Sequence, residues 1–199
     1  MIGLEPPYFA ATPEDADALA QLVNMAGEGM PLYLWERMTQ PGETAWDVGR
    51  RRARREEGAF SYRNAITLRE GGNAAGAILA CLIGYDIQDE PVAITAEMPA
   101  MFVPLQELEN LALRTWYINV LATFPDHRGK GLGRQLLEFA EASARHKGLR
   151  GLSLIVEDAN TGARRLYERF GFAEMARRAI VKDDWRCPGS DWVLFVKQF

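Results

Sequence analysis

The chain has 199 residues, 48% of them apolar and 25% charged, a balance that suits a globular α/β protein and excludes a disordered one. With 23 Lys and Arg against 27 Asp and Glu the net charge is −4, which argues against a general nucleic-acid or anionic-membrane surface. Two cysteines, Cys81 and Cys187, give neither a disulfide framework nor a metal knuckle, so no metal is expected. No leader opens the chain and no apolar run is long enough to cross a bilayer, so the expectation is one cytoplasmic domain over residues 1–199.

Taken in order, a short strand near residues 7–11 precedes a helix from about Pro13, with Ala16, Leu19, Ala20 and Val23 on its apolar face. Residues 30–57 read as two helical pieces separated by Gln40-Pro41-Gly42, the second carrying Arg50, Arg51, Arg52, Arg54 and Arg55. A strand is expected from Gly58 through Arg69, then a hairpin at Gly71-Gly72-Asn73 and a second strand from Ala74 to Ile87. Residues 88–113 form a proline-interrupted connection with a short helix at Gln106–Leu113. A central strand at 115–124, a helix at 132–147, a strand at 151–157 and a helix at 161–170 follow. Two final strands, about 173–182 and 191–198, should pair antiparallel. The order implies a mixed sheet in which strands 115–124 and 151–157 are parallel neighbours joined by a crossover helix.

The sharpest chemistry lies at Arg128-Gly129-Lys130-Gly131-Leu132-Gly133, between the central strand and its helix. Glycines let backbone N–H groups converge, a helix N-terminus adds positive potential, and two basic side chains add full charge, so the run suits a phosphate or pyrophosphate. The spacing lacks the third glycine of G-x-G-x-x-G, and no segment has the P-loop pattern. It spells R-x-x-G-x-G. A second segment, Leu152–Phe172, reads LSLIVEDANTGARRLYERFGF: a strand, then a helix capped by Asn160, striped by Ala163, Leu166, Tyr167 and Phe170, and stopped at Gly171.

Together these runs resemble the GNAT superfamily of acetyl-coenzyme-A-dependent N-acetyltransferases. Its pyrophosphate loop reads Gln/Arg-x-x-Gly-x-Gly/Ala, and its following strand leads to an asparagine and a helix ending Leu-Tyr-x-x-x-Gly-Phe, matched here by Leu166, Tyr167, Gly171 and Phe172. The likeness is carried by residues 114–173. It implies an α/β (α+β) fold with a central mixed, mostly antiparallel sheet of six to seven strands flanked by helices on both faces. The two parallel strands would splay at their C-terminal ends around the pantetheine arm of acetyl-CoA, the co-substrate. Leu121, Ala122 and Thr123 would offer backbone groups to that arm, Arg128, Gly129, Lys130, Gly131, Leu132, Gly133 and Arg134 would hold the pyrophosphate, and Asn160 would contact the coenzyme as well as cap its helix.

Aminolysis of a thioester needs a neutral amine, a polarised carbonyl and a proton for the departing thiolate. The resemblance gives that last task to Tyr167, although its place in an apolar stripe also fits a core aromatic. The base is unassigned. Some members of the family place a glutamate where this chain has Ile155. Glu157 and Asp158 lie close by in sequence, Glu107 and Glu109 in the long connection are further candidates, and Asn119 could position a water. His127 and His146 lack metal-ligand spacing. The arginines of 50–55 read as a solvated face or as a patch for an acidic acceptor, and Tyr33, Trp35 and Trp46 as core or as an acceptor lining. The implied partner is a small-molecule or peptide amine, and a homodimer is compatible. A sensor that binds acyl-CoA without turnover is the competing reading.

Overall fold

The computed structural model describes residues 4–199. In chain order it contains β1 (Tyr8–Ala10), α1 (Ala16–Ala26), α2 (Met30–Glu36), α3 (Ala45–Ala53), β2 (Ala65–Arg69), β3 (Ile78–Asp86), α4 (Val103–Glu109), β4 (Thr115–Thr123), α5 (Leu132–His146), β5 (Gly151–Glu157), α6 (Thr161–Phe170), β6 (Ala173–Ala179) and β7 (Asp191–Gln198). The strands form one open sheet in the order β1-β2-β3-β4-β5-β7-β6. Pairing of β4 with β5 is parallel, and the β1–β2, β2–β3, β5–β7 and β6–β7 pairs are antiparallel. This is the mixed sheet that the order of elements implies, and the mostly antiparallel one that the family resemblance implies.

Residues form two compact units, one of the chain up to Gly84 with Asn119–Leu136, the other of Tyr85–Ile118 with Leu137–Phe199. The core of the first is helical on one side. Leu19, Ala20, Leu22 and Val23 of α1 pack with Trp35 of α2, Val48 of α3 and Cys81 and Ile83 of β3. Trp35 stacks on Phe60 at 5.8 Å between ring centroids and meets Trp46 edge-on at 6.1 Å. Gly49 permits this, because a Cβ there would lie 2.5 Å from the Trp35 ring. Each fully buried leucine of this kind stabilises the fold by roughly 1.5–3 kcal/mol.

In the second unit β5 runs between β4 and β7, and its residues Gly151–Leu154 are buried. Thr115 donates its hydroxyl proton to the Ala112 carbonyl at 2.6 Å, so Ser153, 2.6 Å away, donates to Thr115 and the buried pair is satisfied. This fixes the start of the parallel ladder in register.

The largest differences from the sequence expectation lie in β2, β3 and α4. Strand β2 begins at Ala65 rather than Gly58, because Ser61 takes the Arg63 N–H into a 3-10 turn and the Asn64 amide donates to the Gly58 carbonyl. Local side-chain hydrogen bonds here outcompete the ladder. Strand β3 begins at Ile78, the preceding residues being spent on a turn in which Glu70 N–H bonds to the Ala77 carbonyl. Helix α4 spans Val103–Glu109 and not 106–113, since Pro104 sits in its first turn, where a missing N–H costs nothing.

Candidate active site

Strand β4 changes character halfway along, Thr115–Ile118 belonging to the second unit and Asn119–Thr123 to the first. Thr115–Ile118 are all buried, whereas Asn119 is exposed and Leu121 and Thr123 are half-buried, alternating with buried Val120 and Ala122. Asn119 is therefore not the interior polar residue that the apolar run suggests. The parallel ladder pairs Thr115–Ile118 with Gly151–Leu154 only; β4 runs on to Thr123, and Ile155–Glu157 of β5 pair with β7. The residues of β4 beyond Ile118 thus lie outside that ladder.

A 3-10 turn at Pro125–His127 then delivers the chain to the glycine run. Arg128 is extended, and its Nε donates to the Thr123 carbonyl at 3.2 Å, tying the loop to the strand it leaves. Gly129 and Gly131 have φ of 73° and 82°, a left-handed conformation that glycine adopts without cost, and open space surrounds the place where a Cβ would stand. The first ladder bond of α5 runs from Gln135 N–H to the Gly131 carbonyl, so the amides before Gln135 lie ahead of the helix ladder. Arg128, Lys130 and Arg134 are exposed beside them, and Leu132 and Gly133 are half-buried. A pyrophosphate fits such a turn: exposed donors, unobstructed glycines and local positive charge.

In the second unit, the Asn160 side chain accepts the Ala163 N–H at 3.1 Å, capping α6, and Gly171 ends the helix with φ of 96°. One helical face between them carries Tyr167. It is 7% exposed and lies 5.9 Å from Phe172 edge-on and 6.3 Å from Phe195 between ring centroids. Burial holds its phenol well above the ordinary tyrosine value, with no hydrogen-bonding partner contributing. Tyr167 is therefore a neutral phenol at neutral pH and cannot act as a base there.

The same unit holds groups that carry no motif. Tyr85 at the end of β3 donates its hydroxyl to Oε2 of Glu109 at 3.2 Å, and its ring lies 5.3 Å from that of buried Tyr117. Burial pushes the Glu109 carboxyl up to about 7, against a smaller lowering by the Tyr85 hydrogen bond. Tyr117, raised chiefly by its own burial, also feels the charges of Glu109, Tyr85 and Tyr167, so these groups form one electrostatic cluster. Sequence reasoning included Glu109 among several carboxylates but missed Tyr85 and Tyr117. Both sit in apolar strand runs, and only the folded register brings them to α4.

The other candidates have structural partners. Glu107 pairs with Arg178 at 2.5 Å, and buried Glu157 accepts the Gly189 N–H while Asp158 accepts that of Ser190. Glu157 and Asp158 thereby pin the loop before β7. Trp35 and Trp46 belong to the packing of the first unit, and Arg37 lies over the Tyr33 ring at 4.1 Å. Arg50 bridges Asp17 and Asp47, and Arg51 pairs with Glu43, an ion-paired surface. Cys81 and Cys187 are free thiols, and burial raises Cys81 to about 12.

The comparisons with known proteins bear on the whole arrangement. A mycothiol acetyltransferase of Acidimicrobium ferrooxidans is 28% identical over 186 residues, 93% of this chain and 48% of that protein. Another, from Geodermatophilus obscurus, is 45% identical over 69 residues, 35% of this chain and 21% of that protein. The chain spans half or less of the length of these relatives. A crystal structure of an N-acetyltransferase from Staphylococcus aureus Mu50 superposes with a TM-score of 0.69 at 20% identity, over 96% of this chain and 99% of that one, so the fold is shared. Residues 32–172, which include the glycine loop, Asn160 and Tyr167, match the model of the acetyltransferase (GNAT) family. The chain belongs to that family.

Proposed function

We propose that the protein is an acetyl-CoA-dependent N-acetyltransferase that moves the acetyl group directly to a primary amine. The observation that carries this reading is the Arg128–Gly133 turn, with its left-handed glycines, open space and exposed amides ahead of α5. In this reading Arg128, Gly129, Lys130, Gly131, Leu132, Gly133 and Arg134 hold the pyrophosphate, Leu121, Ala122 and Thr123 pair with the pantetheine, and Asn160 contacts the coenzyme while capping α6. The amine attacks the thioester carbon, the C–N bond forms, the C–S bond breaks, and Tyr167 gives its proton to the leaving sulfur. The ammonium-type proton left on the adduct nitrogen restores the phenol. The two units act as one catalytic domain, a proposal supported by a family match that runs through both. Similarity to proteins named mycothiol acetyltransferases favours a small-molecule acceptor, and two free cysteines suit a reducing cytoplasm.

Coenzyme A tests the donor half alone. At about 100-fold over its dissociation constant it should stabilise the fold by ~2.7 kcal/mol, a melting shift of roughly 5–10 °C for a chain of this size. No shift at millimolar coenzyme A would sink the proposal. Thiol release from acetyl-CoA over a panel of unacetylated mycothiol, a polyamine, an aminoglycoside and free amino acids then separates an enzyme from a binding-only sensor.

A further inference from the structure

We propose that Glu109 is the general base of this acetyl transfer, taking the proton of the acceptor ammonium, and that Tyr85 is the residue that positions it. The inference rests on the acetyltransferase reading above. Its ground is the surroundings of α4 in the second unit. Glu109 is half-buried at the C-terminal end of that helix, where a solute can still reach it, and Tyr85 Oη donates to its Oε2. The helix packs against β5, β6 and β7. Charged groups on those strands are engaged elsewhere: Arg178 of β6 with Glu107, Arg177 with Glu174, Lys197 of β7 with Glu141, and Glu157 of β5 with the Gly189 amide. Tyr117 from β4 and Tyr167 from α6 complete the electrostatic cluster, and neither supplies a cation. Among the described residues, the hydrogen-bond partner recorded for Glu109 is the Tyr85 hydroxyl.

A carboxylate held this way does two things. It is the negative group available to attract an ammonium, and it is basic enough to deprotonate one near neutral pH, because burial raises it into the range where a general base works best. The proton balance closes. The R–NH3+ acceptor loses one proton to Glu109 and attacks as R–NH2. The second proton, on the adduct nitrogen, goes by way of Tyr167 to the coenzyme A thiolate. Glu109 then releases its proton to solvent before the next turnover. Tyr167 cannot take the first proton itself, since its phenol is already protonated.

The test uses the full chain, acetyl-CoA and the amines of the panel above. E109Q should lose about 100-fold or more in kcat/KM with coenzyme A affinity unchanged, and the ascending limb near pH 7 should vanish. Y85F should keep most turnover but move that limb to higher pH, because the lost hydrogen bond favours the ionised carboxylate; a merely structural role would leave the limb in place. Infrared titration of the protein alone should find a carboxyl near pH 7 that is absent in E109Q. Undiminished turnover in E109Q, or a Glu109 carboxyl titrating at the ordinary glutamate value, overturns the proposal. Failure of the wild-type chain to bind coenzyme A would instead defeat the acetyltransferase reading, and the infrared titration would still decide whether Glu109 has the basicity proposed here.

Discussion

In the proposed enzyme the Arg128–Gly133 turn and the Tyr85–Glu109–Tyr117–Tyr167 cluster would act by opposite means. In the turn, exposed backbone does the work. Glycine conformation sets where the N–H groups point, and the charges stand in water, where a helix terminus contributes only about 0.3–1 kcal/mol per interaction. In the cluster, side chains do the work through burial, which lifts a carboxyl to about 7 and keeps phenols protonated. A site of the first kind is suited to binding, and one of the second kind to moving protons. Substitutions should therefore separate the two: changes in the turn should act on coenzyme affinity, and changes in the cluster on turnover and its pH dependence.

The largest effect is expected at Tyr167. In the proposed mechanism, removing its hydroxyl in Y167F takes away the proton for the leaving thiolate, while the aromatic packing against Phe172 and Phe195 stays in place. Turnover should fall by roughly 10²–10⁴-fold with coenzyme A affinity within a factor of two or three. Equal turnover in Y167F would reduce Tyr167 to a core aromatic and remove the distinction between the two regions.

Glu109 offers a test that needs no substrate. Its folded-state carboxyl titrates above the unfolded value, so its contribution to stability is complete below the ordinary glutamate value and is lost as pH rises through about 7. A neutral amide at this position is spared that loss. E109Q should melt close to the wild type at pH 5 and above it at pH 8, by an amount on the order of 2 kcal/mol after allowance for partial solvation, or about 4–8 °C. A melting difference that does not change with pH would mean that the carboxyl is not perturbed by its surroundings.

The two regions also differ in how far the sequence disclosed them. The turn was legible because its chemistry is backbone chemistry, and glycine spacing writes backbone geometry directly into the chain. Asn160 and Gly171 were legible for the same reason, as cap and stop of α6. The cluster was legible only in part: Tyr167 stood in a motif and Glu109 among several carboxylates, but Tyr85 and Tyr117 carried no signal. Glu109 looks like any helical carboxylate beside Glu107, and only tertiary packing sends Glu107 to Arg178 and Glu109 to Tyr85. The element pattern conveyed the order and parallel centre of the sheet, since apolar period and β-branching are local. It misplaced the starts of β2 and α4, where a serine hydroxyl and a first-turn proline override the simple reading of strand and breaker.

In the turn, Gly131 gives the sharper handle. At φ of 82° an alanine costs about 1–2 kcal/mol of backbone strain, although there is room for its methyl group. G131A should weaken coenzyme A binding by about tenfold, as a relaxing turn withdraws its amides, and leave the pH profile of turnover with its limb near 7. A shifted limb would mean that the turn and the cluster are not separable.

Asn160 is where the two kinds of chemistry meet in one side chain, and it yields the smallest effect. Its Oδ1 accepts the Ala163 N–H, so N160A should cost about 1 kcal/mol, or 2–4 °C. Serine at the same position also caps helices well but presents no amide. N160S should therefore recover most of the stability. If Asn160 is a cap only, N160S should recover coenzyme A affinity as well. If its amide also meets the coenzyme, affinity should stay several-fold weaker in N160S while the melting temperature returns, and that split assigns the residue to both regions at once.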